Sequence, residues 1–124
     1  MANKYQIGDK DTRPWGTWEV LSCGENFCIK KIIVNPQAKL SLQLHHHRSE
    51  HWIITKGIAS VALGDSILEK KPFEHVYIPQ ETKHRMTNPG SQPLEFIEVQ
   101  TGEILDENDI IRFEDIYNRV NQQK

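Results

Sequence analysis

Short runs of strand-forming residues, cut every few positions by glycine, proline or asparagine, fill most of this chain. The runs cover residues 17–22, 27–34, 39–45, 50–55, 59–63, 66–69, 74–78, 84–87 and 94–101. Turn signals separate them: Gly24-Glu25-Asn26, Asn35-Pro36, Lys56-Gly57, Gly64-Asp65, Pro79-Gln80-Glu81 and Asn88-Pro89-Gly90. Many short strands with this punctuation predict an all-β sandwich or barrel. Leu63-Gly64-Asp65-Ser66 reads as a tight hairpin. In the tail, residues 114–120 place Ile116, Tyr117 and Val120 at helical spacing and predict one short helix.

The 124 residues are expected to form a single domain, long enough for a hydrophobic core without disulfides. A formal net charge of −2 provides no basic field for nucleic acid or an anionic membrane, so neither is an expected partner. No apolar run approaches the roughly 20 residues of a membrane span. Residues 1–10 are polar and lack a signal-peptide core, which points to the cytoplasm. Cys23 and Cys28 are then reduced thiols with ordinary packing or surface roles.

Residues 39–45 alternate strictly. Leu40, Leu42 and Leu44 share one face, while Ser41, Gln43 and His45 share the other. If Gln43 and His45 line a polar cavity, the leucine face needs cover from outside. A second sheet, the N-terminal segment or a partner subunit can supply it, and a homodimer is expected.

Gln43 and His45 stand two apart on that strand and point the same way. Glu50 follows after a turn, and a proline turn at Pro79 delivers His84 from another strand. These four oxygen and nitrogen donors can converge on one divalent metal. With coordination positions left open, such a site suits Lewis-acid work on a carbonyl or hydroxyl. Zinc is the first choice, with manganese, iron, cobalt and nickel open to the same ligand set. A shifted register brings His46 or His47 in as ligand instead. With Gln43 and His45 as ligands, His46 points outward or stands just behind the ligands, His47 faces the cavity mouth and His51 points away.

These residues resemble the cupin family, whose two motifs supply a His-x-His, a glutamate and a later histidine. A glycine closes the first motif and a proline opens the second. The spacing from position 43 through Glu50 to Gly57, and from Pro79 through His84 to Asn88, matches. Gln43 replaces the first histidine, and Glu81 stands where a glycine is usual. The resemblance implies a cupin-type double-stranded β-helix, or jelly-roll, barrel.

A narrower resemblance rests on Arg13-Pro14-Trp15-Gly16-Thr17-Trp18, Leu40-Ser41-Leu42-Gln43, His45-His46-His47-Arg48-Ser49-Glu50-His51-Trp52 and Ile97-Glu98-Val99-Gln100-Thr101-Gly102. Asp109-Ile110-Ile111-Arg112-Phe113-Glu114-Asp115 and Tyr117-Asn118-Arg119 extend it. Together they resemble the type II mannose-6-phosphate isomerase domain. In many bacteria this domain forms the C-terminal part of a bifunctional enzyme with mannose-1-phosphate guanylyltransferase. Asn118 departs from the usual glycine and Ile104 from the usual tyrosine. No Gly-rich nucleotide-binding start occurs in these residues, so a free-standing isomerase-type cupin is expected.

The resemblance implies interconversion of mannose 6-phosphate and fructose 6-phosphate, feeding mannose-derived polysaccharide or sugar-nucleotide synthesis. A proton must then pass between C2 and C1 while a carbonyl oxygen gains negative charge. Candidate bases are Glu98, on one strand face with Phe96 and Gln100, and His47. The substrate's phosphate needs cations. Arg48 at the mouth of the site comes first, then Arg112 and Arg85, while Lys83 is read as solvated. Trp52 is expected to pack under the metal, and Trp15 and Trp18 to cover apolar surface. Two other readings share these features: a non-catalytic sugar-binding or regulatory cupin, and another metal-cupin enzyme such as a sugar epimerase.

Overall fold

The computed structural model describes residues 5–106 and 108–114. Eleven strands run through them: β1 (Lys10–Arg13), β2 (Gly16–Cys23), β3 (Phe27–Val34), β4 (Leu42–Leu44), β5 (Ser49–Lys56), β6 (Ala59–Leu63), β7 (Ser66–Lys70), β8 (His75–Ile78), β9 (His84–Thr87), β10 (Leu94–Thr101) and β11 (Ile111–Glu114). They form two antiparallel sheets. One has the order β1-β2-β3-β10-β5-β8 and the other β11-β4-β9-β6-β7. Neighbours in sheet but not in sequence, such as β3 beside β10 and β4 beside β9, are the crossovers of a jelly roll. The helix read over 114–120 lies outside the described residues, apart from Glu114, which closes β11.

The inner face of the larger sheet changes character along its strands. At one end Leu94 pairs with Val34, and Phe96 pairs with Ile32 and Ile54. Two positions further along β10, Glu98 pairs with Lys30 and Trp52, then Gln100 with Cys28 and Glu50. Strand alternation keeps all of these on one face. Val34, Ile54, Leu94 and Phe96 are fully buried and anchor the hydrophobic cluster between the sheets. Burying side chains of this kind contributes about 1.5–3 kcal/mol each. The barrel therefore has an apolar end that holds it together and a polar end lined by charge.

Two turns hold residues in the left-handed region, and one of them lies at the site. Gly64 takes φ +58 in the two-residue turn joining β6 to β7, and no atom lies within 4 Å of where its Cβ would stand. Glu81, which stands where the cupin motif usually has a glycine, also holds a positive φ of 61, in the turn that delivers His84. Its backbone N–H donates to His45 O at 2.8 Å, tying the two halves of the site together.

The alternation read over 39–45 holds only in part. β4 spans Leu42–Leu44, and Lys39 reaches β9 through an isolated bridge to Thr87. Leu40 packs against the hydrophobic cluster while its neighbour Ser41 is fully buried, so Leu40 does not share an outward face with Leu42 and Leu44. The Leu40 N–H donates to Met86 O, which places this residue against β9 before β4 begins.

Candidate metal centre and active site

His45 follows the last residue of β4, Glu50 lies in β5 and His84 opens β9. Their donor atoms all lie within 4.8 Å of one another, and all three side chains are buried. His45 Nε2 stands 3.3 Å from Glu50 Oε2, and the two imidazole rings are 5.1 Å apart. Gln43 is the cross-strand partner of His84. Its amide nitrogen donates to Ser41 O at 3.3 Å and Ser41 Oγ at 3.1 Å, so the amide oxygen is the atom it could offer to a cation.

Backbone carbonyls set both imidazole tautomers. His45 Nδ1–H donates to Asp109 O, and His84 Nδ1–H donates to Thr82 O at 2.9 Å. Each Nε2 therefore carries the lone pair, the arrangement that ligating histidines adopt. Burial lowers both pKa values, that of His45 to about 4, with Arg48 adding to the effect and Glu50 opposing it. Both rings are neutral near pH 7, as metal ligation requires.

For Glu50, burial alone would raise the carboxyl pKa. The Arg48 guanidinium, followed by His45 and His84, outweighs that and holds it well below the usual carboxylate range. Arg48 Nε donates to Glu50 Oε2 and Trp52 Nε1 donates to Glu50 Oε1, each at 2.8 Å. Trp52 also sets its ring edge-to-face against His84, beneath the cluster. Two neutral imidazoles, one carboxylate and one amide oxygen fit a divalent ion that accepts nitrogen and oxygen ligands. Arg48 Nη1 and Gln100 Oε1 are buried with no hydrogen-bond partner, so polar atoms beside the cluster remain for a ligand or water to satisfy.

A cleft opens beside this cluster, with Arg13, Trp18, Lys30, Arg48, Glu98 and Arg112 among its lining residues. Glu98 is its only carboxylate among the described residues. Burial, and then the nearby Glu50, push its pKa up to about 7, while Gln100 Nε2 donates to its Oε2 at 2.8 Å. Arg48 lies at the floor of this cleft rather than at its mouth. It is 7% exposed, because its guanidinium is drawn inward onto Glu50 and onto His45 Nε2 at 3.3 Å.

Other residues singled out from the sequence stand elsewhere. His47 is exposed and lines a separate surface groove with Gln80 and Glu103, away from the cleft. His46 is exposed too, with Nδ1 3.6 Å from Glu81 Oε1, so neither histidine joins the cluster. Arg85 lies outside the cleft. Its guanidinium is spent on Leu40 O at 3.0 Å, Glu114 Oε1 at 3.2 Å and Glu114 O at 3.1 Å. Lys83 is exposed, as expected from the sequence, with its ammonium over the Phe113 ring at 4.3 Å. His51 faces away from the cluster, its ring against Tyr77.

Three residues that sequence reasoning passed over belong to this region. Asp109 accepts the backbone N–H groups of His46 and His47 on its two carboxylate oxygens, each at 2.9 Å, and so fixes the loop that carries Arg48. Lys30 and Arg13 line the cleft. Lys30 carried a readable signal, since it falls in phase with Cys28, Ile32 and Val34 on an otherwise apolar inward face.

Comparison with known proteins shows the family and the fold. The family model described as mannose-6-phosphate isomerase C-terminal matches residues 2–115. The chain is 51% identical over 107 residues to the xanthan biosynthesis protein XanB of Xanthomonas campestris pv. campestris. It is 50% identical over 109 residues to the alginate biosynthesis protein AlgA of Pseudomonas syringae pv. tomato. These matches take in 86% and 88% of this chain but only 23% of each relative, so the chain spans about a quarter of their length. In fold it is similar to a cupin-2 domain from Rhodospirillum rubrum, with a TM-score of 0.68 at 20% identity over 88% of this chain and 84% of the other. The barrel is a cupin barrel, and the chain belongs to the mannose-6-phosphate isomerase C-terminal family.

Proposed function

We propose that this chain is a metal-dependent isomerase of mannose 6-phosphate and fructose 6-phosphate, acting in mannose-derived precursor synthesis. The observation that carries the reading is the buried gathering of His45, Glu50 and His84 beside a cleft that is cationic apart from one carboxyl group. Gln43 completes the donor set from β4. Zinc is the preferred ion, ahead of manganese, iron, cobalt and nickel. When bound, the ion supplies Lewis-acid stabilisation of negative charge on the sugar's carbonyl oxygen.

The chain's own residues do the rest. Glu98 is the base: it lines the cleft next to Glu50 without belonging to the donor set. It takes the proton from C2 of the open-chain aldose and returns it to C1, while the O2 hydroxyl gives up its proton and O1 gains one, so that the enediol collapses to the ketose. Arg48 orients Glu50 through Nε and offers Nη1 to a substrate oxygen. Arg112 approaches the substrate from β11. Chain 1–124 acts as one cupin domain in the cytoplasm. The half-buried Leu42 and Leu44, with exposed Ile53 and Tyr77 on the other sheet, support pairing with a second copy, which light scattering checks.

A coupled assay of mannose 6-phosphate conversion, on protein stripped with chelator and reloaded with each ion, tests the reading. Metal-restored turnover is expected, with turnover abolished in His45→Ala and His84→Ala. Normal turnover by those variants would overturn it. Binding of the sugar phosphate without turnover under any ion would favour the non-catalytic sugar-binding alternative.

A further inference from the structure

Lys30 is 6% exposed on the inner face of β3, directly across from Glu98 on β10. Its Nζ lies 3.8 Å from the centroid of the Tyr5 ring and 4.4 Å from that of Trp18. The same Trp18 ring carries Arg13, whose guanidinium carbon stands 5.9 Å from its centroid. Among the described residues Lys30 makes no ion pair. Aromatic faces stabilise an ammonium group but do not use its three directional N–H donors. A lysine this buried is uncommon without a partner. The cleft it faces sets Arg13, Lys30, Arg48 and Arg112 against the single carboxylate of Glu98.

Strand order supplies the distance. Glu50 is on β5, Glu98 on β10 and Lys30 on β3, three adjacent strands. Lys30 therefore lies two strand spacings across and two residues along from Glu50, a backbone separation of about 12 Å. That span is comparable to the reach of an open-chain hexose 6-phosphate from its carbonyl end to its phosphoryl group.

We propose that Lys30, with Arg13 across the Trp18 ring, forms the subsite for the phosphoryl group of a phosphorylated sugar whose carbonyl end lies at the His45–Glu50–His84 cluster. The identity of the sugar rests on the isomerase reading; the anion specificity rests on Lys30. Arg48, drawn onto Glu50 at the cleft floor, serves the reacting end instead.

Calorimetric titration of the full chain with mannose 6-phosphate, mannose and inorganic phosphate tests this. Wild type is expected to prefer mannose 6-phosphate to mannose, with inorganic phosphate competing. Lys30→Met is expected to lose at least tenfold in affinity for mannose 6-phosphate and no affinity for mannose. Lys30→Arg keeps most of the binding. Arg13→Gln, a change at the exposed rim, loses several-fold. Lys31→Met, on the outer face of the same strand, changes nothing. Should Lys30→Met fail to fold, Lys30→Arg and Arg13→Gln carry the test. Wild-type affinity for mannose 6-phosphate in Lys30→Met, or in Arg13→Gln in its place, would overturn the proposal. So would a wild type that binds inorganic phosphate but prefers mannose 6-phosphate no more than mannose, since the site would then hold a free anion. Binding that depends on Lys30 without turnover would retire the isomerase reading and leave this subsite standing. Turnover with an unchanged KM in Lys30→Met would do the reverse.

Discussion

Asp109 supports the candidate metal cluster without supplying a donor atom to it. Its carboxylate accepts two backbone N–H groups of the loop after β4, and its carbonyl accepts His45 Nδ1–H. Asp109→Ala strands the two N–H groups, each at a cost of about 1–3 kcal/mol where water cannot replace the acceptor. It also frees the loop that aims His45. Loss of such an outer partner typically weakens metal affinity about 10–100-fold. Asp109→Asn retains one acceptor oxygen and falls between. Metal titration paired with urea unfolding checks both effects; wild-type affinity in Asp109→Ala would mean that the loop holds itself. Cys28 gives a residue-scale prediction of another kind. Burial pushes its thiol up to about 11, with the positive charge of Lys30 only partly opposing this. The folded state therefore keeps the thiol proton in a range where the unfolded chain has begun to lose it. The associated stability is complete below the ordinary thiol pKa and disappears as pH rises through about 11. Cys28 is expected to resist iodoacetamide at pH 8 until denaturant is added; mass spectrometry of the folded protein reads this directly.

At the scale of elements, the long central strands were legible and the edges were not. Residues 27–34, 59–63, 84–87 and 94–101 coincide with β3, β6, β9 and β10, because each combines apolar alternation with a turn signal at its end. β1, Lys10–Arg13, and β11, Ile111–Glu114, gave no such signal. Each lies at the edge of a sheet, pairs on one side only and carries polar residues toward solvent, so no periodic apolar face marks it. Missing β11 meant that Arg112 could be named without being placed, and that the segment bearing Asp109 was quoted without a role. The loop joining β4 to β5 depends on a second hidden contact. A Cβ on Gly102 would collide with the His47 carbonyl and lie 3.2 Å from Arg48 Cα, so the residue that follows β10 must lack a side chain for the loop to pack. Gly102→Ala is expected to cost about 1–3 kcal/mol through overpacking and to lower metal affinity by displacing Arg48 and His45. Gly64→Ala, strained by its positive φ but with no atom near its Cβ, is expected to cost about 1–2 kcal/mol while leaving metal affinity unchanged. Thermal melts with and without metal separate the two; equal effects on affinity would remove the loop from the argument.

Across the whole molecule, the candidate cluster joins the two sheets. Glu50 comes from β5 in one sheet, while His84 and the end of β4 belong to the other. The gathering of His45, Glu50 and His84 was legible through the cupin-like spacing; strand alternation alone left His46 or His47 open in place of His45. Lys30 could not be assigned a role that way, since only the β3–β10 pairing sets it opposite Glu98. A ligand bridging both sheets binds the folded chain and not the unfolded one, so its binding free energy adds to the stability of the whole barrel. At a free ion concentration about 100 times Kd, the gain is about 2.7 kcal/mol. For a domain of this size that corresponds to a rise in Tm of roughly 10 °C. Chelator should lower Tm by the same amount, and the ion giving the largest rise identifies the preferred metal. In His84→Ala the metal-dependent shift should disappear, because one sheet then contributes fewer donors. Lys30→Met should retain it in full, because Lys30 belongs to the cleft and not to the donor set. A melting temperature that no ion among zinc, manganese, iron, cobalt and nickel can raise would mean that the cluster holds no metal, and that Arg48 alone balances the buried charge of Glu50.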